Sequence, residues 1–134
     1  MDENVCKPLG NKAVILPATI GDKLKNRRIE LGLLQKDVAN MIGVCEDSIT
    51  LWENNRNEPS IIYYPKIIIF LGYVPFEIDV STLGGQIKLY RYLHGLSQEE
   101  LARKLEVNES TVFHYENNKH KPSSKTLRKF KSII

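Results

Sequence analysis

One stretch of this chain occurs twice at a fixed distance. Gln35, Ala39, Val44, Glu53, Asn54, Asn55, Pro59 and Ser60 recur, each 63 residues later, as Gln98, Ala102, Val107, Glu116, Asn117, Asn118, Pro122 and Ser123. Arg28 likewise matches Arg91, and Gly32-Leu33 matches Gly95-Leu96, with no gap from Ile20/Leu83 to Ser60/Ser123. An ungapped self-match of this kind means that one structural unit has been used twice. A length of 134 residues would otherwise suggest one domain. The repeat predicts instead an arm over 1–18, a first unit over 19–72, a connection over 73–81 and a second unit over 82–134, each unit with a modest core.

The hydrophobic spacing inside each unit is that of short helices. Ser97 is placed to cap one, and Glu100 completes a capping box. Leu101 and Leu105 share a face, and small Ala102 beside them lets another helix cross closely. A turn at 106–108 sends Val107 into the core and leaves Asn108 to cap the next helix, which buries Val112 and Tyr115. The opposite face of that helix carries Glu109, Ser110, Phe113, His114 and Asn117, the polar outward side that a groove-reading helix needs.

In the first unit Thr19 caps a helix to about Leu31, ended by Gly32, and helices follow over 35–42 and 46–54. Leu34 stands where Ser97 stands, so this copy lacks that cap, a loss of roughly 1 kcal/mol. Gly43 can take a positive φ freely, whereas Glu106 at the same place would carry strain on the order of 1–2 kcal/mol. Asn55 and Asn118 suit left-handed positions after the third helices. Ser60 and Ser123 should cap the next elements; Pro65 divides that of the first unit into a turn at 61–64 and a helix over 65–71, closed by Gly72. Residues 73–80 are apolar and should pack, with a short helical turn. Thr82 caps a helix to about His94, and a last helix over 124–134 has Leu127, Phe130, Ile133 and Ile134 on one face, its apolar end available to the first unit or to another chain.

Gly-Leu-Ser-Gln-Glu-Glu-Leu-Ala at 95–102, with Val107 and Tyr115-Glu116-Asn117, resembles the Cro and phage-repressor type of helix-turn-helix domain, the xenobiotic-response-element family. The first copy resembles it through Gly32-Leu-Leu-Gln35, Val38-Ala39, Gly43-Val44 and Ile49 to Asn54. The resemblance implies an all-α chain of two tandem lambda-repressor-like domains with four to five short helices each. It implies that the amides of Gln35 and Gln98 meet phosphates. It places Glu109, Ser110, Phe113 and His114 at base edges, with Thr111 turned partly to the backbone and Lys119, His120 and Lys121 beside phosphates. The first-copy equivalents are Glu46, Asp47, Thr50 and Leu51, with Arg56 and Asn57 in the loop. Arg28 with Glu53, and Arg91 with Glu116, match an ion pair that ties helix one to the end of helix three; plain surface charge is the other reading.

Charge distribution points the same way. Residues 83–134 hold ten Lys and Arg against five Asp and Glu, while residues 1–82 hold nine against eleven. Phosphate neutralisation supplies most non-specific DNA affinity, so the second unit should make the stronger contact. Glu46 and Asp47 oppose such a contact in the first, which is scaffold or reader. No cofactor or metal is expected: Cys6 and Cys45 form neither a metal quartet nor a disulfide framework, and His94, His114 and His120 lack ligand spacing. Ile67–Leu71 is far short of the roughly 20 apolar residues of a span, and the N-terminus lacks a signal-peptide pattern, so a cytoplasmic location is expected. Nothing suggests an enzyme or a small-molecule substrate. The leading expectation is a sequence-specific regulator binding double-stranded DNA, its tandem copies imitating a dimer or a homodimer presenting four reading helices. The alternative is a protein adaptor or antitoxin built on the same fold.

Overall fold

A computed structural model describes residues 19–134; the arm expected over 1–18, with Cys6, lies outside the described residues. Among them the chain is helical without strands: α1 (Ile20–Glu30), α2 (Gln35–Ile42), α3 (Glu46–Glu53), a 3-10 turn (Ile61–Tyr63), α4 (Tyr64–Leu71), α5 (Leu83–His94), α6 (Gln98–Leu105), α7 (Glu109–Glu116) and α8 (Ser124–Ile133). The repeat is visible in the order, with α1–α4 answered by α5–α8.

Helix ends follow local chemistry. Thr19, Thr82, Ser97 and Ser123 accept from the backbone N–H three residues on, and Glu100 returns the bond to the Ser97 amide. These hydroxyls satisfy donors that the first turn leaves open. At Leu34 only the reciprocal half exists, Asp37 accepting from the Leu34 amide at 2.8 Å. Two expected caps do not form: Asn108 and Ser60 occupy cap positions without a side-chain hydrogen bond. Gly43 at φ 89° and Glu106 at φ 60° end α2 and α6 left-handed, as do Asn55 and Asn118 at φ 58° and 57° after α3 and α7.

Each copy has its own core. Leu24, Val38, Ile42, Ile49, Trp52, Ile67 and Phe70 fill the first; Ile87, Leu101, Leu105, Val112, Tyr115 and Phe130 fill the second. Complete burial of such side chains contributes about 1.5–3 kcal/mol each. Most of the apolar face of α8 serves its own unit: Ile133 packs on the second core and its carbonyl accepts from the Tyr90 hydroxyl, while Ile134 is exposed. The reason is register, which puts Phe130 and Ile133 three apart on one face.

The connection is irregular, with bends at 73 and 75–76 and a turn at 80–81, rather than the expected helical turn. Pro75 removes a donor and Pro75 O accepts from Lys23 Nζ, so the segment lies along α1 and α4. Phe76 then joins Tyr64 of α4 and Tyr92 of α5 in an aromatic cluster, with centroids 6.1, 4.5 and 4.9 Å apart. Lys88 lies over the Phe76 ring. Burial, with Tyr92 adding to it, pushes the Tyr64 phenol up to about 12. The two copies therefore pack on each other through α4, the connection and α5.

Candidate nucleic-acid interface

The geometry of α6, its turn and α7 is fixed from beneath. In each copy an arginine grips a carboxylate with both arms. Arg28 Nε and Nη2 donate to Glu53 Oε2 and Oε1 at 2.7 and 2.9 Å, and Arg91 does the same to Glu116 at 2.6 and 3.0 Å. The third guanidinium nitrogen donates to Leu33 O in one copy and Leu96 O in the other. Glu53 and Arg91 are buried, so neither pair is plain surface charge. The hydrogen bonds that Arg28 donates to Glu53 hold its guanidinium above its usual range against the opposing effect of burial. Each pair joins helix one, the following loop and the end of helix three.

The glutamines enter the same networks. Gln35 Nε2 donates to Glu53 Oε1 at 3.1 Å, and Gln98 Nε2 to Glu116 Oε1 at 3.2 Å. Each amide keeps one Nε2 hydrogen beyond that bond. Sequence reasoning missed this carboxylate link. Its only trace is a Gln and a Glu 18 residues apart in both copies. Thr50 and Phe113 then make the copies differ. Thr50 Oγ1 donates to Gln35 Oε1 at 2.7 Å, locking that amide at both ends. Phe113, at the matching place, has no hydroxyl to offer Gln98.

Gly21 and Gly84 were also not singled out. A Cβ at Gly21 would strike Trp52 O, and one at Gly84 would strike Tyr115 O. Helix one thus crosses the end of helix three with backbone nearly touching backbone. Only glycine permits that approach.

On α7, Glu109, Ser110 and Phe113 are exposed while Thr111 and His114 are half-buried. Phe113 is 46% exposed, a large apolar ring on a face otherwise polar. It meets His114 edge-on at 5.6 Å, and His114 meets His120 at 5.1 Å. His114 Nδ1 is buried and has no hydrogen-bond partner, so ring packing positions this side chain. The Lys119 amide donates to His114 O, closing α7 and directing exposed Lys119, His120 and Lys121 along its end. His120 and Lys121 also border a cleft of about 450 Å³ with Thr82, Leu83, Tyr115 and Leu127.

The first copy presents a different surface. Glu46, Asp47 and Leu51 are exposed on α3, as are Arg56 and Asn57 in its loop, while Thr50 is turned inward to Gln35. Among the described residues no group of three or more His, Cys, Asp or Glu could hold a metal, and no helix is long and apolar enough to cross a membrane.

Comparison with known proteins adds to this geometry. The family described as helix-turn-helix matches residues 24–78 and again residues 87–130. A protein of Methanocaldococcus jannaschii, named as an uncharacterized HTH-type transcriptional regulator, is 48% identical over 40 residues. That match covers 30% of this chain and 61% of the relative. No solved structure matches the chain.

Proposed function

The chain belongs to the helix-turn-helix family, matched twice along its length, and from that premise we propose that it is a non-enzymatic transcriptional regulator that binds double-stranded DNA. The observation that carries the reading is the build of α7: a narrow buried seam, a polar outward face and a lysine-bearing loop at its end. Such a rod enters a major groove about 12 Å wide. Units over 19–72 and 82–134, joined by 73–81, would act as two such modules.

In this reading Glu109, Ser110, Phe113 and His114 address base edges, and Thr111 lies toward the backbone. Lys119, His120 and Lys121 sit by phosphates and set position rather than sequence. The remaining Nε2 hydrogen of Gln98 reaches a phosphate while Glu116 orients the amide. Gln35 does the same in the first copy, where Glu46, Asp47, Leu51, Arg56 and Asn57 form the outer face and Thr50 supports the amide. Glu46 can accept from a cytosine amino group, but beside Asp47 it also repels phosphate. The first copy therefore contributes less affinity than the second. A protein of this type works in the cytoplasm, where DNA is reached.

A second reading, a protein-contact module, is favoured by one feature: α3 shows Glu46, Asp47 and exposed Leu51, with exposed Met41 on neighbouring α2. Salt separates the two. A regulator making several phosphate contacts loses affinity steeply with ionic strength, whereas an adaptor shows no such binding. The direct experiment is selection of bound fragments from a random duplex pool. His114→Ala, Lys119→Ala, Lys121→Ala together should abolish enrichment; equal enrichment by variant and parent would remove α7 as the reader.

A further inference from the structure

The two copies meet through unlike surfaces. Tyr64 of the first packs edge-on against Tyr92 of the second at 4.9 Å. A Cβ at Gly95 would lie 3.2 Å from both Ile62 O and the Pro65 ring. A two-fold axis relating the copies would repeat each contact with the roles exchanged. The exchanged partners, 63 residues away, are Ile29 with Leu127 and Gly32 with Lys125 and Arg128. Those contacts are absent. Ile29 is 58% exposed, and a Cβ at Gly32 would meet nothing within 4 Å. The join is head-to-tail, so the tandem copies do not imitate a two-fold dimer.

That asymmetry restricts the DNA. Duplex symmetry relates two equivalent docking sites either by a dyad across the helix or by the screw along it. A dyad gives an inverted repeat, as for two-fold repressor dimers. The screw gives two elements in the same direction. With the dyad excluded by the contacts between copies, we infer that α3 and α7 of one chain address two half-elements oriented alike on one duplex. The inference rests on both helices being groove readers, as proposed above.

The native readers differ on their outer faces, so two half-elements of different sequence would hide their orientation. Asp47→Ser, Thr50→Phe, Leu51→His gives α3 the outward residues of α7, since Glu46 already matches Glu109. Selection with this full-length variant should return one short element twice in the same direction, bound by one chain per duplex in native mass spectrometry. An inverted pair, or a lone element, would overturn the inference.

A second measurement keeps wild-type reading faces. Cys45 and Asn108 hold matching cap positions before α3 and α7. In a Cys6→Ser background, a DNA-cleaving chelate is attached at Cys45, or in Cys45→Ser at Asn108→Cys. Both should cut the same strand preferentially; preference for opposite strands contradicts the arrangement. Failure of wild type to enrich any duplex would overturn the groove reading itself, an outcome distinct from a wrong orientation.

Discussion

At the scale of single residues, the buried arginine–glutamate pairs carry the largest expected effects. Glu116 takes both Arg91 arms and the Gln98 amide. Glu116→Ala leaves a buried cation without its carboxylate, and urea unfolding should show a loss of about 3–5 kcal/mol. Replacing both partners, as Arg91→Met with Glu116→Leu, should recover much of it, because the paired charges also carried a desolvation cost. Recovery of stability without recovery of DNA binding would separate folding from orientation of α7. Phe113 gives a complementary prediction. An exposed ring among polar side chains suits a thymine methyl, since over other base edges it would cover hydrogen-bonding groups without replacing their water. Replacing thymine by uracil at the contacted position of a selected duplex should weaken wild type by about 0.8 kcal/mol. Phe113→Ala should bind both duplexes equally.

Helix termini are the next scale. Leu34 is 58% exposed and stands at a cap position without a side-chain acceptor. Leu34→Ser should stabilise the chain by about 1 kcal/mol, read from the denaturation midpoint, and Ser97→Ala should cost a similar amount. Glu106 tests opposed effects. Its left-handed backbone is strained, while its carboxylate accepts from Lys129 at 2.7 Å. That contact holds the carboxyl below the usual range. A lowered native pKa adds stability above the unfolded value and loses it as pH falls. Glu106→Gly should therefore raise the melting temperature by a few degrees, and the advantage over wild type should widen as pH drops below about 4. A constant difference across pH would mean that Lys129 contributes nothing.

Helices were the most legible part of the chain because the repeat supplied two readings of each. The four hydroxyl caps that form, at Thr19, Thr82, Ser97 and Ser123, were written locally. Ser60 was not, because Pro65 and the 3-10 turn change the backbone after it. The close crossings at Gly21 and Gly84 and the Gln–Glu bonds were hidden, since they join residues brought near only by packing. Glu109, Ser110 and Phe113 on α7 could be named as outward from spacing, but the half-burial of His114 could not. The inward turn of Thr50 could not, because it depends on where Gln35 ends.

For the whole molecule, what matters is how one copy is held against the other. The path of the connection was not legible in the sequence. The partners of Phe76 lie on α4 and α5, far from each other along the chain. A head-to-tail join has no built-in closure: in principle a further unit could be added at either end, producing a fibre. Here the acceptor end has been blunted. Where the first copy offers Ile62, Tyr64 and Pro65, the second has Lys125, Leu127 and Arg128. Lys125→Ile, Leu127→Tyr, Arg128→Ala together with Ile29→Tyr should remove that block without breaking α8, and light scattering should then show mass growing with concentration while wild type stays constant. Two cations and two missing rings, with Leu127 and Ile29 standing where Tyr64 and Tyr92 would meet, work against repeating this join from chain to chain.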